Sequence, residues 1–165
     1  MISPDYCKTM AEYNQWMNNK LYAICDELGE DDRKQDRGAF FGSIHGTLDH
    51  ILLGDRLWMG RFTQQPFVGK IGVEFYSDFG QLHQERILSD RQIIDWAAEL
   101  TLSWLDQTLT YTSGVDKKER SMPNWILVTH FFNHQTHHRG QVTTLLSQLG
   151  CDPGTTALPW LPRFI

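Results

Sequence analysis

The segment from residue 122 to 149 constrains the fold most, because its apolar residues recur with the period of an α-helix. Ser121 and Pro123 are typical of a helix start, and Gly150 is typical of a helix end, so the sequence predicts a helix over 122–149. One stripe of this helix is apolar and needs other helices to bury it. The stripe contains Leu127, Phe131, Val142, Leu145 and Leu149.

Four of the seven histidines lie within nine positions of this predicted helix. His134 and His138 are one turn apart at the apolar stripe, so their rings lie one above the other and can reach one metal ion. A single inward histidine is more often a hydrogen-bonded core residue, but two at this spacing favour a metal site. The alternative pairs are His130 with His134 and His134 with His137, and Gln141 lies on the same side.

Periodic apolar residues predict three further helices, over about 6–28, 41–62 and 79–100, the last capped by Asp78 and with a possible break at Ser89-Asp90. Thr101 to Leu105 predicts a short capped turn, and the stretch around Ser113-Gly114 carries a weak β-hairpin signal. The fold class we predict is therefore all-α: one domain, residues 1–165, built as an up-down four-helix bundle with long crossover loops.

The second predicted helix offers two histidines as a third metal ligand. His45 shares a wedge with Asp49 and Arg56, a combination typical of a solvent face, whereas His50 shares its side with Leu53. We therefore predict that His50 is the ligand and that His45 is a surface residue that pairs with Asp49.

Asp55 projects into the middle of the apolar stripe of the same helix, where a charge needs a partner. The candidates are Arg139 and the N–H of a ligand histidine, and an ordinary helix-end salt bridge is an equal alternative. The crossover 63–78 is long enough to be a candidate lid over a pocket. The tail from Pro159 is predicted to be non-helical and to pack across the bundle or against a second subunit.

Composition excludes several classes of function. The net charge is −5, and no long Lys/Arg cluster occurs, so we expect no nucleic-acid partner. No run of 18 apolar residues and no secretory signal is present, so we expect neither membrane insertion nor export. Three cysteines without a CxxC pair indicate reduced thiols in a cytoplasmic protein rather than a disulfide framework or a thiolate zinc site.

Three stretches resemble the DinB/YfiT-like superfamily of bacterial metalloenzymes, named for damage-inducible expression. They are HGTLDHILLGDRLW, TLTYTS and NHQTHHRGQVTTLLSQLG. The resemblance implies an up-down four-helix bundle that holds a divalent ion, usually zinc or nickel, through one histidine of the second helix and two of the fourth. By position these are His50, His134 and His138. It also implies relatives that are transferases and isomerases dependent on bacillithiol, mycothiol or glutathione, and it makes a homodimer the expected assembly.

Three neutral imidazoles leave an ion its full charge and an open position, which is the plan of a catalytic site. A zinc metalloprotease has a glutamate base after its first histidine (HExxH), but here that residue is Gln135. Activation of water would therefore need Asp55, Glu74, His130 or His137 as the base. Thiol activation needs less help, because a thiol with a pKa near 8.5 is deprotonated by metal coordination.

Our leading hypothesis is a metal-dependent thiol S-transferase-like enzyme whose small-molecule substrates include a low-molecular-weight thiol. Asp55, His130 and Gln141 are the residues predicted to act beside the ion. One alternative is a hydrolase that uses a metal-bound hydroxide. Another is a non-enzymatic, stress-induced protein that binds a metal or ligand.

Overall fold

The computed structural model describes residues 1–70 and 72–165, which are mostly helical with one small antiparallel sheet. The helices in this part of the chain are α1 (Pro4–Asp26), α2 (Glu30–Lys34), α3 (Ile44–Phe62), α4 (Phe79–Glu99), α5 (Leu102–Asp106) and α6 (Asn124–Gln148). The strands are β1 (Thr108–Thr112) and β2 (Glu119–Pro123), and two 3-10 turns, Leu158–Trp160 and Pro162–Phe164, lie in the tail. The four predicted long helices are thus all present.

Capping side chains fix the starts of three long helices. The Ser3 hydroxyl accepts the Tyr6 N–H at the start of α1, and the Ser43 hydroxyl accepts the Gly46 N–H at the start of α3. The Asp78 carboxylate accepts the Gln81 N–H, which confirms the predicted cap of α4. Each cap satisfies a backbone donor that the helix itself leaves unpaired.

The predicted start of α6 is wrong by two residues, because the hairpin extends into it. Ser121 is not a helix cap; it lies in β2 opposite Thr110, and the two hydroxyls are 2.7 Å apart. Pairing continues to Pro123, and α6 begins only at Asn124. The weak hairpin signal is confirmed, as is the short capped turn, where Thr101 accepts the Trp104 N–H before α5.

The long helices pack side by side, α1 against α4 and α6, and α3 against α4 and α6. Aromatic side chains of α3, α4 and α6 pack together in this core. The Phe62 ring is stacked on Trp96 at 5.1 Å and lies edge-on to Phe131 at 5.8 Å. The predicted break at Ser89-Asp90 is absent. Both residues are buried within an unbroken α4, so they face the core and not a turn.

The crossover between α3 and α4 covers the face of α3 that the sequence indicated as solvent-exposed. The Tyr76 carbonyl oxygen lies 2.6 Å from His45 Nε2, and the Phe75 and Tyr76 N–H groups each donate to the Asp49 carboxylate at 2.8 Å. His45 and Asp49 are therefore buried. The prediction that His45 is a surface residue paired with Asp49 is wrong, because both side chains bind the crossover backbone.

The C-terminal tail packs against α1. The Tyr13 hydroxyl donates to the Thr156 carbonyl at 2.6 Å, Arg163 pairs with Glu12 at 3.2 Å, and Leu161 is buried. The tail contains the two short 3-10 turns, so the prediction that it is wholly non-helical is wrong. Within the described residues, no helix is both long and apolar enough to cross a membrane.

Candidate metal centre

Three histidines from two helices meet at one point of the helical core. His50 comes from α3, and His134 and His138 come from α6; one ring nitrogen from each lies within 4.8 Å of the others. The Nε2 atoms of His50 and His134 are 3.0 Å apart. The His138 ring centroid lies 4.6 Å from that of His50 and 4.4 Å from that of His134. The structure therefore brings together the three predicted ligands in a group that could hold a metal ion.

A glycine lets the two helices come this close. Gly54 lies one turn after His50 on α3, and a Cβ atom there would be 2.8 Å from Cε1 of His134. Glycine inside a helix costs about 1 kcal/mol relative to alanine, so its use here indicates a steric need. The His134 ring occupies the space that a side chain at position 54 would take.

Neighbouring side chains orient the other two rings. His138 Nδ1 donates to the Gln141 amide oxygen at 2.8 Å, one turn along α6, which leaves the Nε2 lone pair of His138 available to an ion. Phe41 stacks on His50 with ring centroids 3.7 Å apart and also contacts the His138 ring edge-on at 5.4 Å. These contacts therefore orient the rings of His50 and His138.

All three rings are neutral near pH 7. Burial, and then the neighbouring His138, lowers the pKa of His50 to about 4. Burial lowers the pKa of His134 to about 3, with the surrounding histidines acting in the same direction. Burial also lowers the pKa of His138, against the opposing effect of its bond to Gln141. Three neutral imidazoles whose ring nitrogens converge in this way could hold a divalent metal ion.

A cavity of about 440 Å³ leads to the three histidines. Its walls come from α3, from α6 and from the β1–β2 hairpin, and they include Leu57, Trp58, Tyr111 and Val115. Apolar side chains therefore surround the path to the rings. A cavity of this size and lining has room for a small molecule.

His130 and His137 stay outside the three-histidine group, although the sequence left both open as members. His130 lines the cavity, with its ring edge-on to Trp58 at 5.2 Å and 5.9 Å from the His134 ring. The loss of solvent around its ring, and then the Arg61 charge, lower the pKa of His130. His137 is exposed beside His138.

Asp55 lies in the core and not in the cavity. It is fully buried, and its carboxylate accepts from Arg86 at 2.6 Å and from the Gln135 amide at 2.9 Å. The predicted partners, Arg139 and a ligand imidazole, are both wrong, because α4 supplies Arg86. Asp55 and Gln135 thus form part of a buried polar network between α3, α4 and α6.

The network continues through α1. Arg86 also pairs with Asp90 at 2.9 Å, and the side-chain amides of Asn14 and Asn18 donate to the Asp90 carboxylate. Arg139 donates to the Asn14 side-chain oxygen. Glu74, another predicted base, is exposed on the crossover. It lines a neighbouring cavity that reaches His50, but not the cavity that contains all three rings.

Sequence reasoning missed three residues that shape the site, namely Phe41, Gly54 and Arg61. Gly54 carried a usable signal, because a glycine within a strong helical pattern indicates close approach by a neighbour. Phe41 and Arg61 carried none, since their contacts depend on how the helices and the hairpin pack.

Comparison with known proteins is consistent with this geometry. The sequence model of the DinB family matches residues 1–164. The chain is also similar to Protein DinB of Bacillus subtilis (strain 168), with 28% identity over 159 residues, which is 88% of this chain and 87% of that protein. The family match includes α3 and α6 and so all three clustered histidines.

Proposed function

The chain belongs to the DinB family, and on that basis we propose that it is a metal-dependent enzyme that transfers a low-molecular-weight thiol to an electrophile. The observation that carries this proposal is the group of three neutral histidines at the base of a largely apolar cavity. Such a site combines the ligands of a catalytic metal with room for a small substrate.

His50, His134 and His138 would hold the ion, for which zinc and nickel are the two candidates. When bound, such an ion would supply a positive charge that lowers the pKa of a thiol from about 8.5 and so favours the thiolate. Gln141 acts here as a positioning residue, because its amide oxygen holds the proton-bearing nitrogen of His138. Phe41 is a second positioning residue, because its ring stacks on His50 and so orients the imidazole.

Gln135 favours thiol transfer over hydrolysis. It occupies the position where a metalloprotease carries its glutamate base, and its amide donates to buried Asp55 at 2.9 Å. An amide in this state cannot accept a proton from water. Deprotonation of a thiol needs a weaker base than deprotonation of water, and we propose that His130, whose ring lines the cavity, accepts the released proton.

Two other functions have specific support. The neutral ring of His130 could instead accept a proton from water, which would make the protein a metal-dependent hydrolase. The three histidines also link α3 to α6, which would suit a non-enzymatic, stress-induced metal or ligand binder. Asp55 could act only through its neighbours, since it is enclosed among Arg86 and Gln135.

The wider assignment follows the family. We propose that α1, α3, α4 and α6 form an up-down four-helix bundle in a single domain, supported by their side-by-side packing. We also propose a cytoplasmic location, supported by the free thiols of Cys7, Cys25 and Cys151. A homodimer is the proposed assembly, supported by Leu88 and Leu102, which are 56% and 57% exposed.

The test is conjugation of a chromogenic aryl halide with glutathione, cysteine or bacillithiol, by chelator-treated protein and by the same protein reloaded with zinc or nickel. We expect a rate that needs both metal and thiol. His50→Ala should lose it together with the metal, whereas His83→Ala should keep both, because His83 pairs with Asp26 away from the site. A rate independent of metal with every thiol would contradict the proposal.

The same preparations separate the alternatives. A hydrolase would cleave a nitrophenyl ester in a metal-dependent way without any thiol. A protein in which the ion only links α3 to α6 would show no turnover, but its melting temperature would drop on chelation. Because a ligand that binds only the folded state stabilises it by about 2.7 kcal/mol at a hundred times its Kd, this drop should be easy to measure.

A further inference from the structure

One side of α3 lines the cavity from end to end. His50, Gly54, Leu57 and Arg61 are spaced by four, three and four residues, so they lie along one stripe of the helix. Arg61 lies eleven positions after His50, which corresponds to a rise of about 16 Å along the helix axis. His50 and Arg61 therefore come from opposite ends of this stripe, and the cavity that both line runs along it.

Arg61 is held in place without a carboxylate. Its guanidinium carbon lies 4.4 Å from the ring centroid of Trp58 and 4.9 Å from that of Tyr111. Its one hydrogen bond among the described residues is a long contact of 3.4 Å to the Thr112 carbonyl. Burial lowers the pKa of Arg61, as expected for a cation that has lost solvent without gaining an anion.

Two neighbouring arginines, unlike Arg61, each pair with a carboxylate. Arg56, on the same helix, pairs with Glu85, and Arg120, on the same hairpin, pairs with Asp116. The described residues that line the cavity include no Asp or Glu, although the chain as a whole has a net charge of −5. The cavity is thus a locally cationic site in an acidic protein.

A guanidinium with free N–H groups and a fixed plane matches a carboxylate, which it binds through two parallel hydrogen bonds. The neighbouring walls are apolar or aromatic and include Leu57, Trp58 and Val115. A ligand that fills this space needs an apolar body to contact those walls and an anionic end to meet Arg61.

We infer that Arg61 is the carboxylate anchor of the cavity, and that the ligand is an elongated molecule with an apolar body and a terminal carboxylate. Its other end lies toward His50, His134 and His138. That this end is the one that reacts rests on the proposed function; the anchoring by Arg61 does not.

The carboxylate could belong to the electrophile or to the thiol, since small peptide thiols also carry carboxylates. The apolar walls decide between them. A peptide thiol is polar along its length and would leave its amide groups unpaired against Leu57 and Trp58, which is costly. The anchored molecule is therefore an aryl or alkyl carboxylic acid and not a peptide thiol. If the proposed function holds, this acid is the electrophile, and the carbon that the thiolate attacks lies at the end away from the carboxylate.

The test uses metal-free, chelator-treated protein, so that a carboxylate cannot bind an ion instead of Arg61. Isothermal titration calorimetry would measure the binding of 4-phenylbutyrate, of its neutral amide and of glutathione. The variants are Arg61→Gln, which removes the charge, and Arg61→Lys, which keeps the charge without the planar fork. Arg120→Gln is the matched control, and circular dichroism would check that each variant folds.

We expect wild-type protein to bind the acid about tenfold more tightly than the amide, because a charge-assisted hydrogen bond is added. Arg61→Gln should bind acid and amide equally, with amide affinity unchanged. Arg61→Lys should keep part of the preference, and Arg120→Gln should keep all of it. Equal binding of acid and amide by wild-type protein would overturn the inference, as would Arg61-dependent binding of glutathione without that of 4-phenylbutyrate.

This experiment and the turnover assay fail independently. Loss of the acid preference in Arg61→Gln supports the anchor even if no thiol reacts. Conversely, thiol transfer to an uncharged aryl halide would support the proposed function even if Arg61 binds no carboxylate.

Discussion

His138 keeps one ring nitrogen free because Gln141 binds the other at 2.8 Å. This bond fixes both the tautomer and the orientation of the ring, as carboxylate and carbonyl partners do at metal sites. We predict that Gln141→Ala weakens metal binding by about ten- to a hundredfold while the fold is retained. Competition with a chromogenic chelator measures the affinity, and Gln148→Ala, an exposed glutamine of the same helix, is the control. An unchanged affinity would remove Gln141 from the site.

Gly54 gives a second test at single-residue scale, with a built-in control. A Cβ at position 54 would meet the His134 ring at 2.8 Å, whereas a Cβ at Gly140 on α6 would have nothing within 4 Å. We predict that Gly54→Ala displaces the ring and lowers metal stoichiometry. Gly140→Ala should keep the metal and raise the free energy of unfolding by up to about 1 kcal/mol, through helix propensity alone. Metal content by mass spectrometry and urea unfolding measure the two effects.

Single-residue reasoning from the sequence chose the histidine that joins the three-histidine group, but part of its reason was wrong. Helical position separates His50 from His45, and the structure places only His50 in the histidine group. However, the polar wedge of His45 and Asp49 faces the crossover backbone and not solvent. Helical phase can be read from the sequence, but what covers each face depends on segments far along the chain.

At the scale of elements, local patterns located the long helices well and their ends less well. Capping by Asp78 depends on a residue only three positions away, Gln81, so the start of α4 was predictable. The start of α6 was not predictable, because Ser121 lies in the hairpin and pairs with Thr110, eleven residues earlier. The partner of Asp55 was missed for the same reason, since Arg86 comes from a different helix.

The buried pair between α3 and α4 allows a prediction about stability. We expect Asp55→Ala to lower the free energy of unfolding by about 3–5 kcal/mol, because Arg86 and the Gln135 amide both lose an acceptor in the core. Asp116→Ala breaks the exposed pair with Arg120 and should leave the free energy of unfolding almost unchanged, because solvent screens that pair. Urea unfolding compares them. If Asp55→Ala were as stable as wild type yet inactive, the predicted catalytic role of Asp55 would gain support.

The whole molecule combines an acidic surface with a histidine group that stays neutral when folded. The net charge is −5, yet the pKa values of His50 and His134 are lowered to about 4 and about 3 because the rings are enclosed where α3 and α6 pack. In the unfolded chain the same rings titrate near 6.5. Folding therefore lowers the proton affinity of the rings whose lone pairs an ion would need. Because the folded and unfolded states differ in proton affinity, the free energy of unfolding depends on pH.

The sign of that linkage follows from proton binding. Between pH 6.5 and about 4 the unfolded chain binds more protons on His50 and His134 than the folded protein does, so stability rises with pH across this window. We predict that the free energy of unfolding of the metal-free protein is highest above pH 6.5, where both rings are neutral in the folded and the unfolded state. It should fall progressively as the pH drops below 6.5. Urea unfolding at pH 7.5, 6.5, 5.5 and 5 measures the slope, which His134→Gln should reduce and His83→Ala should not. An equal slope in wild type and His134→Gln would show that the buried ring does not carry the effect.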